Sequence, residues 1–147
     1  MESTPKLVKG DSVYDNRGSL AFINELDLLE IKRFYIVENF QKNFIRAWHA
    51  HKNEQKIMIC IQGCAQISAV KIDNFDSPSG DMEVNSFYLS ENKTECVFVP
   101  KGYANGFMSL KDNTKLLIFS NSSLKESIND DFRYPFDYWN CWDIKFR

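Results

Sequence analysis

The sequence predicts an all-β barrel or double-sheet jelly roll formed as a single domain over residues 1–147. Three observations carry this expectation. Short apolar or alternating runs recur along the whole chain, turn-forming residues separate them, and helical periodicity is weak throughout.

In chain order, strands are expected at 19–23, 32–37, 45–51, 56–61, 65–72, 86–89, 96–99 and 115–119. The first follows the turn Asp15-Asn16-Arg17-Gly18. Gln62-Gly63 separates the fourth from the fifth, and the polar loop 74–81, with Pro78 and Gly80, separates the fifth from the sixth. Pro100-Lys101-Gly102 follows the seventh, and Lys111-Asp112-Asn113 precedes the last. Only two short helical pieces are expected, at 25–29 and 124–129, the second capped by Ser122 or Ser123. The aromatic stretch 132–142 is too apolar for a free tail and should pack on the barrel or on a second subunit.

Composition narrows the function classes. A chain of 147 residues that is 44% hydrophobic can bury one core and is too short for two ordinary domains. Lys and Arg number 18 against 20 Asp and Glu, and no basic stripe is present, which argues against a nucleic-acid partner. Apolar runs such as Ile57-Met58-Ile59-Cys60-Ile61 are far short of the ~20 residues that cross a bilayer, so no membrane association and a cytoplasmic location are expected. Cys60, Cys64, Cys96 and Cys141 form no C-x-x-C pair and are expected to be reduced and mostly buried.

The segment Arg46-Ala47-Trp48-His49-Ala50-His51 holds both histidines of the chain. Side chains alternate along a strand, so His49 and His51 share one face and could reach one ligand in a barrel interior. Three readings follow. With Glu54 the pair could form a facial triad for a metal. Alternatively, one imidazole is a general base and the other a partner acid or donor, with Arg46 and Lys56 supplying charge for an enolate oxygen or a diphosphate. Or both are satisfied polar residues on a barrel wall. Arg46 has the opposite parity to the histidines, and only a bulge or a strand start would turn it inward.

At this point the chain resembles the cupin enzymes that remodel nucleotide-linked 4-keto-6-deoxy sugars, from Asp15 to Trp142. Asp15-Asn16-Arg17-Gly18-Ser19-Leu20, Ile31-Lys32-Arg33-Phe34-Tyr35-Ile36 and Arg46-Ala47-Trp48-His49-Ala50-His51-Lys52 are similar to the dTDP-4-keto-6-deoxyglucose 3,4-ketoisomerases. Gln55-Lys56-Ile57-Met58-Ile59-Cys60, Leu89-Ser90-Glu91-Asn92-Lys93, Val99-Pro100-Lys101-Gly102-Tyr103-Ala104-Asn105-Gly106-Phe107 and Asp131-Phe132-Arg133-Tyr134 are similar to the dTDP-4-dehydrorhamnose 3,5-epimerases.

The resemblance implies a single cupin domain and an isomerase of deoxysugar or surface polysaccharide biosynthesis. It makes His49 the base that removes the proton beside the C4 ketone and Lys56 the support of the enolate. Arg46, and Arg17 from a partner subunit, grip the diphosphate. Asp137 holds the base, with Asp73 as the fallback, and Tyr35 or His51 returns the proton. Asn105 stands where the family has a histidine, Ala47 where it has a glycine, and Asn121-Ser122-Ser123 where the epimerases have a proton-returning tyrosine. Trp48 is a candidate to stack on the nucleobase. A homodimer with exchanged N-terminal strands is implied, the partner molecule is a nucleotide-diphosphate keto sugar, and neither cofactor nor resident metal is expected. Epimerisation at C3, C5 or both is preferred slightly over 3,4-ketoisomerisation. A metal-dependent cupin and a non-catalytic sugar-nucleotide binding module are the readings from other classes.

Overall fold

A computed structural model describes residues 4–143. Strands β1 (Lys6–Lys9), β2 (Asp11–Asp15), β3 (Gly18–Phe22), β4 (Arg33–Asn39), β5 (Ile45–Ala50) and β6 (Lys56–Gln62) are followed by β7 (Cys64–Lys71), β8 (Val84–Ser90), β9 (Glu95–Val99), β10 (Tyr103–Ser109) and β11 (Thr114–Ser120). The helix α1 (Leu124–Ile128) and the short β12 (Phe132–Arg133) close the order. Two five-stranded antiparallel sheets, β1-β9-β6-β11-β4 and β12-β5-β10-β7-β8, face each other, and the hairpin β2–β3 pairs with neither. This is the expected jelly roll.

The interior between the sheets follows from strand alternation. Met58, Ile67, Val97, Phe107, Leu116 and Ile118 form the main cluster, from both sheets. A second cluster lies on the outer face of the second sheet, where Trp48, Ala50 and Val70 are covered by Trp139 and Trp142 of the C-terminal segment. The aromatic tail therefore packs on its own barrel. Trp48 meets Trp139 edge-on at 5.4 Å between ring centroids, and the Trp48 and Trp142 indoles both donate to the Phe136 carbonyl.

All eight expected strands form, with ends that move by a residue or two. Four more were not anticipated: β1, β2, β10 and β12. All of β10 is buried, and its Tyr-Ala-Asn-Gly-Phe-Met-Ser composition shows no polar alternation. Segment 25–29 corrects an expectation: it forms turns rather than a helix, because Leu28 and Leu29 find no core to cover. The second expected helix forms, with Ser123 as N-cap and Glu126 completing a capping box. Gly63 (φ 77°) joins β6 to β7, where a Cβ would lie 2.4 Å from Thr114 Oγ1. All four cysteines are free, and burial pushes the Cys60 and Cys96 thiols up to about 11.

Candidate active site

The histidine strand carries the bulge that Arg46 requires. Asn105 of β10 opposes His49 and Phe107 opposes Arg46, so Ala47 and Trp48 share the single partner Gly106. The extra residue resets the parity and turns Arg46 to the face of His49. Gly106 is what permits it, since a Cβ there would lie 2.4 Å from the Ala47 Cβ and 2.9 Å from the Arg46 carbonyl oxygen. Arg46 remains exposed at the rim, where its Nε donates to Asn39 Oδ1 at 2.6 Å.

Deeper inside, His51 is buried and its Nδ1 lies 2.5 Å from the Asp130 carbonyl oxygen. A carbonyl only accepts, so Nδ1 carries the proton and Nε2 is left with a bare lone pair. The Asp130 carboxylate fixes the following turn by accepting the backbone N–H groups of Lys52 (2.7 Å), Asn53 (2.8 Å) and Glu54 (3.1 Å). That turn delivers Glu54 to the interior. Its Oε2 lies 4.0 Å from His51 Nε2, 3.8 Å from Lys56 Nζ and 3.7 Å from Arg33 Nη2.

Lys56, Arg33 and Tyr35 come from the first sheet, opposite the histidine strand. Their register partners on β11 are Ser120 for both Lys56 and Arg33, and Ile118 for Tyr35, which sets all three on the inward face. The Arg33 guanidinium lies 5.0 Å from the centre of the Tyr35 ring. Burial, with the Glu54 charge adding to it, pushes the Tyr35 phenol up to about 12. Burial is also the main cause that lowers the Lys56 ammonium, while Glu54 opposes the shift.

Burial first, then the charges of Lys56 and Arg133, hold His49 down to about 4, with Asp131 pulling the other way. His51 is lowered by burial and then by Lys56. Both imidazoles are thus unprotonated near pH 7, on the wall facing Lys56, Arg33 and Tyr35. Such a cleft can take a proton from a carbon acid on one side and receive the developing oxyanion on the other.

The structure brings His49, His51, Lys56, Tyr35 and Asn105 to one interior, with Arg46 at its rim. Four expected residues lie elsewhere. Trp48 has no exposed surface and packs with Ala47 in the outer aromatic cluster, on the face away from His49; it cannot stack on a ligand in the barrel. Asp137 sits in the exposed turn beyond β12, where the chain has already left the His49 strand, and Asp73 is spent on the Ser79 and Asn74 amides of an exposed loop. Asp131 pairs with Arg133 at 3.1 Å, and Arg133 stands opposite His49 in the β5–β12 register, so the Asp131 charge partly offsets that of Arg133 at His49. Arg17 lies on the detached hairpin, paired with Asp15 at 2.6 Å, away from this chain's own interior.

Sequence reasoning assigned no role to Arg33, Asp130, Asp131 or Arg133, and considered Glu54 only as a metal ligand. Arg33 had a signal, since it shares parity with Tyr35 on one strand. The metal triad does not assemble: among the described residues no three His, Cys, Asp or Glu side chains converge, and the neighbours of Glu54 are mainly cations. The tyrosine-equivalent stretch serves the fold instead, with Asn121 Oδ1 accepting the Gln55 amide, Ser122 bonded to Ser120 and Ser123 capping α1.

Residues 3–139 match the family model described as FdtA: WxcM-like, C-terminal. The chain belongs to that family. It is 25% identical over 107 residues to the spore coat polysaccharide biosynthesis protein SpsL of Bacillus subtilis, a match covering 70% of each protein. Among solved structures the FdtA-family chain is similar to dTDP-4-dehydrorhamnose 3,5-epimerase from Bacillus anthracis (21% identity, TM-score 0.79, 97% of this chain and 86% of the other). It is also similar to QdtA, a sugar 3,4-ketoisomerase from Thermoanaerobacterium thermosaccharolyticum in complex with TDP (21% identity, TM-score 0.68, 94% and 93%). The shared architecture is that of the cupin barrel. No helix among the described residues is long and apolar enough to cross a membrane.

Proposed function

We propose that the protein is an isomerase of nucleotide-linked 4-keto-6-deoxy sugars in deoxysugar or polysaccharide biosynthesis. The observation that carries this reading is the pairing of two neutral imidazoles on one wall with Lys56, Arg33 and Tyr35 on the other. The C4 ketone acidifies the protons on C3 and C5. His49 takes one of them, and the charge that moves to O4 is met by the Lys56 ammonium in a site with little water. Arg46 at the rim is placed for the diphosphate, which Arg guanidinium groups bind in bidentate fashion.

The enolate has two fates. Return of a proton to the same carbon from the opposite face inverts C3 or C5, and Tyr35 on the facing wall is the phenol available for it. Protonation at C4 after the hydroxyl proton has moved gives the 3-keto isomer. The second fate is favoured by one observation, the bare acceptors of Glu54 and His51 beside the site.

A homodimer accompanies this reading. Phe34 and Ile36 on the outer face of β4, with Val13, Tyr14 and Leu20 on the detached hairpin, expose apolar surface that a second copy would cover, and the same hairpin would carry Arg17 to the partner's rim.

The test is deuterium incorporation from heavy water into dTDP-4-keto-6-deoxyglucose, followed by NMR. Incorporation at C3 or C5 with wild type and its loss in His49→Asn is the expected result. An exchange rate unchanged by the substitution removes His49 from the role of base.

A further inference from the structure

Enolate formation assigns no step to Glu54, the buried carboxylate beside Lys56 and Arg33. Its side chain is 1% exposed, yet neither carboxylate oxygen accepts a hydrogen bond. The other buried side-chain polar atom lacking a partner among the described residues is His51 Nε2, 4.0 Å from Glu54 Oε2. Both groups are held in place, Glu54 by the turn that Asp130 fixes and His51 by its Nδ1 on the Asp130 carbonyl.

A carboxylate and an unprotonated imidazole nitrogen are both acceptors. Beside the cations Lys56 and Arg33 that flank it, the Glu54 carboxylate can accept the proton of a ligand hydroxyl. The enolate formed by loss of the C3 proton offers one, because its O3 hydroxyl lies beside the O4 oxyanion.

We propose that Glu54 is a catalytic proton carrier between O3 and O4 of the bound keto sugar, and that this directs the enolate to 3,4-ketoisomerisation. The proposal rests on the isomerase reading above and deepens it. His49 removes the C3 proton, the C–H electron pair forms C3=C4, and the carbonyl π pair moves to O4. The Glu54 carboxylate takes the proton from the O3 hydroxyl and gives it to O4. The charge on O3 then closes to the C3 ketone while the C3=C4 pair takes the proton from the His49 imidazolium at C4. Both residues end as they began, so the step needs no oxidant, reductant or further reactant.

The experiment incubates the full chain with dTDP-4-keto-6-deoxyglucose in heavy water and follows C3 deuterium and 3-keto product separately, for wild type, Glu54→Gln and Glu54→Asp. Wild type is expected to show both signals. Glu54→Gln should lower the ratio of 3-keto product to C3 exchange by ~100-fold or more, the usual size of a general acid–base contribution. Glu54→Asp keeps the charge with a shorter reach, and should lower the ratio of product to exchange about tenfold; it carries the same test if the Gln variant does not fold. Product formation at the wild-type rate in Glu54→Gln, an unchanged ratio in Glu54→Asp, or a wild type that gives only epimer overturns the carrier role while the isomerase reading stands. A folded Glu54→Gln that loses exchange and product together makes Glu54 a binding group and also overturns it. Absence of His49-dependent exchange in wild type overturns the isomerase reading itself.

Discussion

Replacing Asp130 by alanine should unlatch the turn that carries His51 and Glu54. The carboxylate accepts three backbone N–H groups, at 2.7, 2.8 and 3.1 Å. Hydrogen bonds to a charged acceptor contribute about 1.5–3 kcal/mol each when nothing replaces them. Lys52 and Asn53 are exposed and their amides regain water, whereas the Glu54 amide is buried and does not. The loss is therefore close to one full charge-assisted bond plus a fraction of two others, about 3 kcal/mol. For a domain of this size that is a fall in Tm of about 6–12 °C. Urea denaturation followed by tryptophan fluorescence measures the first figure and calorimetry the second. Formation of the 3-keto product should fall as well, because Glu54 loses its fixed placement. A stability loss under about 1 kcal/mol with unchanged product formation would refute the reasoning, since it would mean the turn holds itself.

Other consequences follow from the same geometry. Gly106→Ala forces a Cβ to within 2.4 Å of the Ala47 Cβ; overpacking of this kind costs about 1–3 kcal/mol, and the displaced bulge should raise KM for the nucleotide sugar through Arg46, which denaturation and steady-state kinetics would read separately. Lys56→Met removes the donor for the oxyanion and should slow deuterium exchange by about 10²–10³-fold with little change in TDP binding by calorimetry. His49 is held down to about 4 from its ordinary 6.5, so the base stays unprotonated well below neutral pH. The acid limb of kcat/KM should therefore fall toward pH 4 rather than near 6.5. For stability the sign is the same: the unfolded chain binds the proton more readily, so this contribution is present above pH 6.5 and is lost as pH falls toward 4, measurable as a falling Tm over that window.

Much of the barrel was legible because period-two patterning is local. The runs at 56–61 and 65–72 announce themselves as β6 and β7, and Gly63 marks the turn between them. The pattern failed for β10, whose seven residues are buried on both faces and so carry no alternation. It also failed at 25–29, where two adjacent leucines suggested a helix that has nothing to pack against.

By itself, the sequence determined the β class, the single pair of histidines, their common face, and the need for a bulge to bring Arg46 to it. These depend on alternation within one strand and on counting. Tertiary structure decided the rest, because contacts between distant strands are not encoded in any local window. It set Lys56, Arg33 and Tyr35 across the barrel from His49, left Asp137 in an exposed turn, and turned Trp48 away into the outer aromatic cluster. It also brought Asp130 across 76 residues to the Glu54 amide, leaving a buried carboxylate with no hydrogen-bond donor of its own. Pairing register and packing, rather than residue type, assign those roles.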